Sequence, residues 1–198
     1  MPKIIRRARR RKAHLVFLDE SGFMLTPTVR RTLAPRGKTP ILKSWDRHDR
    51  ISVISAVTVS PKRRRLGLDF RLLPDDVNAH GEDTVDFLRQ LRRHIPGPMT
   101  ILWDRGNIHD RSKVVRAYLA GHPEVVTEKL PSYAPETNPD ESVWGHTKHG
   151  RLANFTPEDT AELRAVLVEE FERLRGRADL LAAFIRHARV PIRLRLRC

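Results

Sequence analysis

The sequence predicts one α/β domain in which an antiparallel meander of strands comes first and helices then alternate with strands. A chain of 198 residues with 39% hydrophobic content is long enough to bury a sizeable core. β-rich runs separated by turn residues fill the first part. From residue 81 onward, apolar residues at helical spacing alternate with short apolar runs. The fold class is therefore α/β, with a mixed sheet flanked by helices.

Three segments predict the meander. A short β-rich run covers residues 14–18, and the apolar run ISVISAVTV covers residues 51–59. Turn signals lie between them, and a third strand over residues 62–70 follows the break at Ser60 and Pro61.

The second half predicts an alternation that ends in helices. A helix from Gly81 stops before Pro96, because proline cannot continue a helix. The elements expected after it are a strand at 99–103, a helix at 112–119, a strand at 124–128, a helix from Pro139, a helix opened by Thr156, Pro157 and Asp159 and ended by Gly176, and a short helix at 180–185.

Charge indicates a polyanionic partner. Lys and Arg total 38 against 24 Asp and Glu, a formal net charge of +14. The run RRARRRK at residues 6–12 is too repulsive to pack by itself, so residues 1–13 are expected to be a basic arm or linker. Two interpretations stay open for it: it lies along DNA phosphates, or it is a solvated lead-in. Residues 14–190 would then be the folded domain, and residues 191–198 a basic tail.

Cysteine content and hydropathy indicate the cellular compartment. Cys198 is the one cysteine, which excludes an internal disulfide framework and a thiolate zinc site. No apolar run has the length of a signal peptide core or a membrane span. The sequence therefore predicts a cytoplasmic protein without a membrane partner.

Three acidic residues in recognisable local frames are the candidate catalytic residues. Asp19 lies in HLVFLDESGF, Asp104 in MTILWDRGNIHD and Glu141 in LPSYAPETNPDESVWGHTK. They are predicted to end one strand, to end another and to open a helix. Converging carboxylates hold the pair of divalent ions that phosphodiester chemistry uses, so two Mg²⁺ or Mn²⁺ ions are the expected cofactors.

Each acidic residue also has a purely structural interpretation. Asn138 and Glu141 fit a helix capping box. Asp104 fits a strand-end turn, and Asp19 beside Glu20 fits an exposed acidic pair. Taken singly, these structural interpretations stay open for all three.

Together, the three frames resemble the DDE transposases of bacterial insertion sequences in the insertion-sequence-630 and mariner superfamily. The resemblance spans FLDESGF with the following VRRTLAPRGKTP, ILWDRGNIH, and LPSYAPETNPDESVWGHTK, in the family order, with 36 residues between Asp104 and Glu141. It implies a ribonuclease-H-like fold, with Asp19, Asp104 and Glu141 as metal ligands. It also implies cleavage at transposon ends and strand transfer into target DNA, by a homodimer.

Two departures from the family pattern accompany the resemblance. Arg105 stands where many relatives have Asn, and Asp140 stands where they have an apolar residue, which leaves open whether Asp140 or Glu141 faces the metal. The helix-turn-helix domains usual in such transposases are not found before the arm. The expectation is a catalytic half that works with a separately encoded helix-turn-helix partner near the nucleoid. The alternative is an inactive, truncated remnant that only binds DNA.

Further residues are candidates for DNA contact. They are Arg6, Arg7, Arg9, Arg10, Arg11 and Lys12 of the arm, Arg36 and Lys38 near the turn after the first strand, His109, and Lys148. A capping or surface role for His109 and a solvated hairpin around Arg36 stay open. Trp144 is expected to pack in the core. His146 and His149 lack the partners that a zinc site needs.

Overall fold

The computed structural model describes residues 1–43, 49–104, 106, 109, 111–131 and 134–196. Several motif positions, among them Arg105 and the Ser132–Tyr133 pair, lie outside the described residues, as does Cys198 at the end of the tail. The helices are α1 (Pro2–Arg10), α2 (Gly81–His94), α3 (Lys113–Ala120), α4 (Pro139–His146), α5 (Thr160–Arg175) and α6 (Ala178–His187). The strands are β1 (His14–Met24), β2 (Arg50–Val59), β3 (Leu66–Asp75), β4 (Met99–Trp103) and β5 (Val125–Lys129).

The five strands form one mixed sheet in the order β3-β2-β1-β4-β5. β1, β2 and β3 pair antiparallel, whereas β4 pairs parallel with both β1 and β5. The predicted meander and the alternation that follows it are thereby confirmed. No helix in the described part of the chain is long and apolar enough to cross a bilayer.

Helices cover both faces of the sheet, because the strand side chains alternate between two cores. In β1, Leu15 and Phe17 pack into one core together with Trp144 of α4 and Phe171 of α5. Their neighbours on the other face pack into a second core with α2 and α3. Both faces of β1 are therefore buried, which explains the continuous apolar run before Asp19.

The predicted boundaries of β1, β3 and α5 are wrong, and the end of β3 is Asp75 instead of residue 70. β1 continues to Met24, six residues beyond the predicted end, because it stays paired with β2 as far as Arg50. β3 begins at Leu66 rather than residue 62, since the basic residues before it form a turn. α5 begins at Thr160, and its N-cap is Asp159, whose carboxylate accepts the Glu162 amide at 2.8 Å.

The basic segment 1–13 is not an unstructured arm. Residues 2–10 form α1, whose Ile5 and Ala8 are buried against the first core while its charged side chains point outward. Apolar residues three apart on one helical face give the packing that the charge run obscured. Arg7 also forms an ion pair with Glu128 of β5.

Candidate active site

The parallel register between β1 and β4 brings two of the candidate carboxylates together. His14 pairs with Met99 and Phe17 with Leu102, so two further residues along the same register bring Asp104 beside Asp19. Asp104 directly follows the last residue of β4. Asp19, by contrast, lies inside β1, where it pairs with Ser55 of β2, so the prediction that it ends its strand is wrong.

Asp19 is held on two sides. Its Oδ1 accepts the Glu20 amide at 3.0 Å, and its Oδ2 accepts the Trp144 indole N–H at 3.3 Å. Burial, followed by the charges of Glu141 and Glu20, raises the pKa of Asp19 to about 7. Asp19 is therefore a carboxylate whose negative charge a bound cation would stabilise.

A turn after β4 orients Asp104. Its Oδ1 accepts the Gly106 amide and a bond from the Nδ1 of His109, both at 2.7 Å. A Cβ at Gly106 would lie only 2.9 Å from that same oxygen, so a larger residue there would displace the Asp104 carboxylate. The hydrogen bond from His109 lowers the pKa of Asp104, which keeps this carboxylate ionised.

His109 is fully buried and bridges two carboxylates. Its Nε2 lies 3.0 Å from the Oε2 of Glu20, opposite its bond to Asp104, and its ring stacks on Trp103 with centroids 4.7 Å apart. Burial opposes the charge, but the hydrogen bonds to Asp104 and Glu20 outweigh burial and raise the pKa of His109 to about 9. With a carboxylate on each nitrogen, the ring is an imidazolium that donates on both sides. It positions Asp104 and does not cap a helix or lie on the surface.

Helix α4 places Glu141 in its first turn. The Oδ1 of Asn138 caps the helix by accepting the Asp140 amide at 3.2 Å, and Pro139 occupies the first helical position. The capping box that the sequence allowed is not formed: among the described residues, the Glu141 carboxylate makes no bond back to the Asn138 amide. Although Glu141 is exposed as a residue, the partial burial of its carboxyl group raises its pKa. The charge of nearby Lys148 lowers this pKa, and the charge of Asp104 raises it.

Asp140 lies beneath the site instead of facing it. Its side chain is fully buried, and its Oδ2 accepts a 2.7 Å hydrogen bond from the hydroxyl of Ser55. Burial, reinforced by the charge of Asp19, raises its pKa well above the ordinary value. Asp140 is therefore a buried acid held by Ser55, and Glu141 is the helix carboxylate that is open to solvent.

Two further side chains of this helical segment reach Asp19 and its strand. Trp144 packs in the core as expected and also donates to Asp19. Lys148 lies in a π-helical turn, Thr147–Arg151, and its Nζ donates to the Ser21 hydroxyl at 2.7 Å above the Phe23 ring. Burial lowers the pKa of Lys148, while the charges of Glu141 and Asp19 raise it.

The donor set suits a hard divalent cation. Asp19, Asp104 and Glu141 supply oxygen ligands only, and burial together with the neighbouring carboxylate charges raises the pKa of Asp19 and Glu141. Among the described residues, no three acidic, histidine or cysteine side chains already stand close enough together to hold a metal ion. The carboxylates thus share one sheet edge and interact electrostatically, but they do not form a closed metal shell by themselves.

The remaining sequence candidates lie elsewhere. The Arg11 guanidinium binds backbone carbonyls at the start of β4 and β5, including that of Glu124 at 3.1 Å, so it is structural. Arg36 and Lys38 are exposed near Gly37, whose φ of +80° confirms a turn. His146 faces Glu170 and Arg173, and the described residues contain no zinc cluster around it or His149.

Sequence reasoning missed Ser55 and Glu20 as parts of this site. Ser55 is the one polar side chain on its face of β2, among Ile51, Val53, Val57 and Val59. A hydroxyl at a core position of a strand needs a partner, which was the available signal. Glu20 carried no comparable signal, because its role depends on His109 folding back from the turn after β4.

The family model described as DDE superfamily endonuclease matches residues 14–164. A search of the curated proteins gives no significant match.

Solved structures of Mos1 transposase share the fold. The Mos1 mariner paired-end complex with Mg superposes with a TM-score of 0.64 at 16% identity, covering 95% of this chain and 58% of that chain. The Mos1 Strand Transfer Complex gives a TM-score of 0.57 at 16% identity, covering 92% and 58%. The catalytic domain of Mos1 mariner transposase gives 0.50 at 12% identity, covering 94% and 89%.

These superpositions confirm the predicted ribonuclease-H-like fold. The chain spans a little under three fifths of the longer Mos1 chains. Since the family model covers most of its length, including all three candidate carboxylates, the chain belongs to the DDE superfamily endonucleases.

Proposed function

We propose that this chain is the catalytic domain of a transposase that cleaves DNA at the ends of a mobile element and joins them to target DNA. The observation that carries the proposal is that Asp19, Asp104 and Glu141 lie at one sheet edge, where Glu141 interacts electrostatically with both aspartates. The structural neighbours support it, because they include Mos1 complexes with transposon ends and a strand transfer complex.

Asp19, Asp104 and Glu141 would hold two Mg²⁺ or Mn²⁺ ions. The choice of these metals is supported by the similar solved structures, since Mos1 complexes contain Mn or Mg. When bound, such ions activate the attacking oxygen and stabilise the leaving oxygen of a phosphodiester. Trp144 orients Asp19, His109 orients Asp104, and the first turn of α4 fixes the direction of Glu141.

The proposed chemistry consists of two in-line displacements at phosphorus. Water first attacks the scissile phosphodiester, the bond between phosphorus and the 3′ oxygen breaks, and a free 3′-hydroxyl is left. That hydroxyl then attacks a phosphodiester of the target, so one ester bond forms and one breaks. Lys148, a half-buried residue within electrostatic reach of Asp19 and Glu141, would contact the phosphate.

A plasmid assay tests the proposal. With Mn²⁺ or Mg²⁺, the protein should nick supercoiled plasmid and attach a labelled duplex bearing a free 3′-hydroxyl to it. Glu141→Gln should reduce both products by about 10³-fold or more, because the amide is a poor ligand for a hard cation. Glu136→Gln, at an exposed glutamate five residues earlier, is the matched control and should retain activity. Unchanged products with Glu141→Gln would refute the assignment, and nicking without joining would refute strand transfer.

Asp140→Asn separates the two neighbouring acids. Because Asp140 is buried and accepts a hydrogen bond from Ser55, an asparagine can keep that bond, and cleavage should stay within about threefold of the wild type. The measurement is the same plasmid nicking rate. A loss as large as that of Glu141→Gln would show that Asp140 is the metal ligand.

A homodimer, a helix-turn-helix partner and a nucleoid location complete the proposal. Transposition joins two ends, and a dimer supplies one active site for each. The basic balance of the chain, with net charge +14, favours residence on DNA. Light scattering of the complex with an end duplex should give a protein mass equal to two chains after the mass of the DNA is subtracted. A protein mass of one chain would refute the dimer.

A further inference from the structure

A basic surface lies at the end of the sheet opposite the three carboxylates. It is built on the turn between β2 and β3, beside the start of β1. His14 and Asp19 are five residues apart along β1, or about 17 Å at ~3.3 Å per residue. The surface, here called the hairpin patch, comprises Arg9, Lys12, Lys62, Arg63, Arg64, Arg65, Arg193 and Arg195.

The hairpin patch is held by a tight backbone turn. Ser60 organises it: its amide donates to the Arg65 carbonyl at 3.0 Å, and its hydroxyl accepts the amides of Arg64 and Arg65 at 3.2 and 3.0 Å. Arg63 has a φ of +58°, a left-handed conformation that only a well-determined turn maintains in a non-glycine residue. The basic side chains are therefore presented from a fixed backbone.

The C-terminal segment adds its charges to the same place. The Arg195 amide donates to the Arg63 carbonyl at 2.9 Å, and the half-buried Ile192 and Leu194 pack against the first core. The basic tail predicted from residue 191 is thus docked on the β2–β3 turn over its described residues.

Positive charge is left unneutralised in the hairpin patch. Within the described ranges, none of its side chains forms an ion pair or a side-chain hydrogen bond. Burial first, and then the nearby charges of Arg9 and Arg195, lower the pKa of Arg63. Asp69 is the one acidic residue among those described around the adjoining groove, and it is already bonded to His94 at 2.7 Å.

The shape suits an extended anion. A groove of about 1060 Å³ runs between the turn, Lys12 and the end of α2 near His94. Arg9 connects it to the exposed basic face of α1, where Lys3, Arg6 and Arg10 continue the positive surface. A row of charges on rigid elements matches successive phosphates of a backbone better than one small anion.

We propose that the hairpin patch binds the phosphate backbone of duplex DNA, separately from the segment held at the catalytic carboxylates. The inference goes beyond the proposed function, because it concerns binding at the opposite end of the sheet and requires no cleavage. Crowded, unpaired cations on a fixed turn cost stability, and a polyanion relieves that repulsion.

The test measures binding of the full chain to a random-sequence duplex of about 30 base pairs in EDTA, by fluorescence anisotropy across a salt series. Lys62 and Arg64 are exposed, and their side chains make no contacts that support the turn, so Lys62→Gln with Arg64→Gln should leave the fold intact. The double variant should weaken binding about tenfold at ~0.1 M salt and reduce the salt slope by about 2.

Lys113→Gln with Arg116→Gln removes the same charge from exposed positions on α3 and is the matched control. The control should keep affinity and slope within about twofold. The proposal is overturned if the hairpin variant binds like the wild type, or if both double variants lose affinity equally. Asp19→Asn should bind normally in EDTA, so loss of cleavage and loss of this binding are distinguishable.

Discussion

Asp19→Asn is expected to abolish DNA cleavage and, at about pH 8, to raise the melting temperature of the metal-free protein. Cleavage should fall by about 10³-fold or more, because the residue is the proposed ligand at the centre of the site. Stability should rise because burial and the charges of Glu141 and Glu20 disfavour the ionised Asp19, whose pKa is about 7. The gain should be on the order of 2 kcal/mol, or ~4–8 °C for a domain of this size.

The direction of this stability change follows from the raised pKa of Asp19, and its size depends on pH. A carboxyl whose pKa is raised by folding costs nothing while it is protonated in both states, and costs most once it is ionised in both. The stabilisation by Asp19→Asn should therefore vanish near pH 4 and be complete above about pH 7. Thermal melts in EDTA at several pH values measure it, with Glu136→Gln, at an exposed glutamate, as the matched control. A lower melting temperature at pH 8 would mean that the bonds from Glu20 and Trp144 outweigh the repulsion.

His109→Ala is also expected to have a large effect, on both stability and cleavage. It should destabilise the protein by about 2–3 kcal/mol, since it opens a cavity beside Trp103 and leaves Glu20 and Asp104 without their shared cation. Cleavage should fall by about 10²-fold, with kcat more affected than KM, because Asp104 loses its orientation. Urea unfolding and plasmid nicking rates measure the two effects.

The stability effect of His109→Ala should itself depend on pH. A histidine whose pKa is raised by folding contributes its full stability below about pH 6.5, and this contribution is lost as pH rises through about 9. The difference between wild type and variant should thus be larger at about pH 6 than at about pH 9.5. His109→Gln, which retains hydrogen bonding without the charge, should recover part of the cleavage rate. Equal destabilisation at both pH values would show that packing alone accounts for the effect.

Periodicity was sufficient to predict most of the fold. β2, α2, β4, α3, β5 and the start of α4 agree with their predicted positions to within about one residue, because their apolar spacing and Pro or Gly boundaries are local signals. The end of β1 was not predictable in the same way. Residues 19–22 are acidic or small, and the strand conformation of residues 19–24 depends on pairing with β2, which no local pattern records.

The candidate site was predicted at the level of its three framed carboxylates and not of their surroundings. The frames placed Asp104 after β4 and Glu141 in the first turn of α4, as the structure has them. Their roles as metal ligands stay predictions. The bridge from His109 to Glu20 and the pair formed by Ser55 and Asp140 join residues distant in sequence, so only the folded sheet reveals them.

The parallel pairing of β1 with β4 has a consequence for how the protein is made. Asp19 and Asp104 become neighbours only when a long stretch of chain closes between them, and such non-local pairings form slowly. Glu141 leaves the ribosome later still. In a nascent chain the three carboxylates therefore stay apart until α4 docks on the sheet, so the proposed active site forms only after most of the domain has been synthesised and folded.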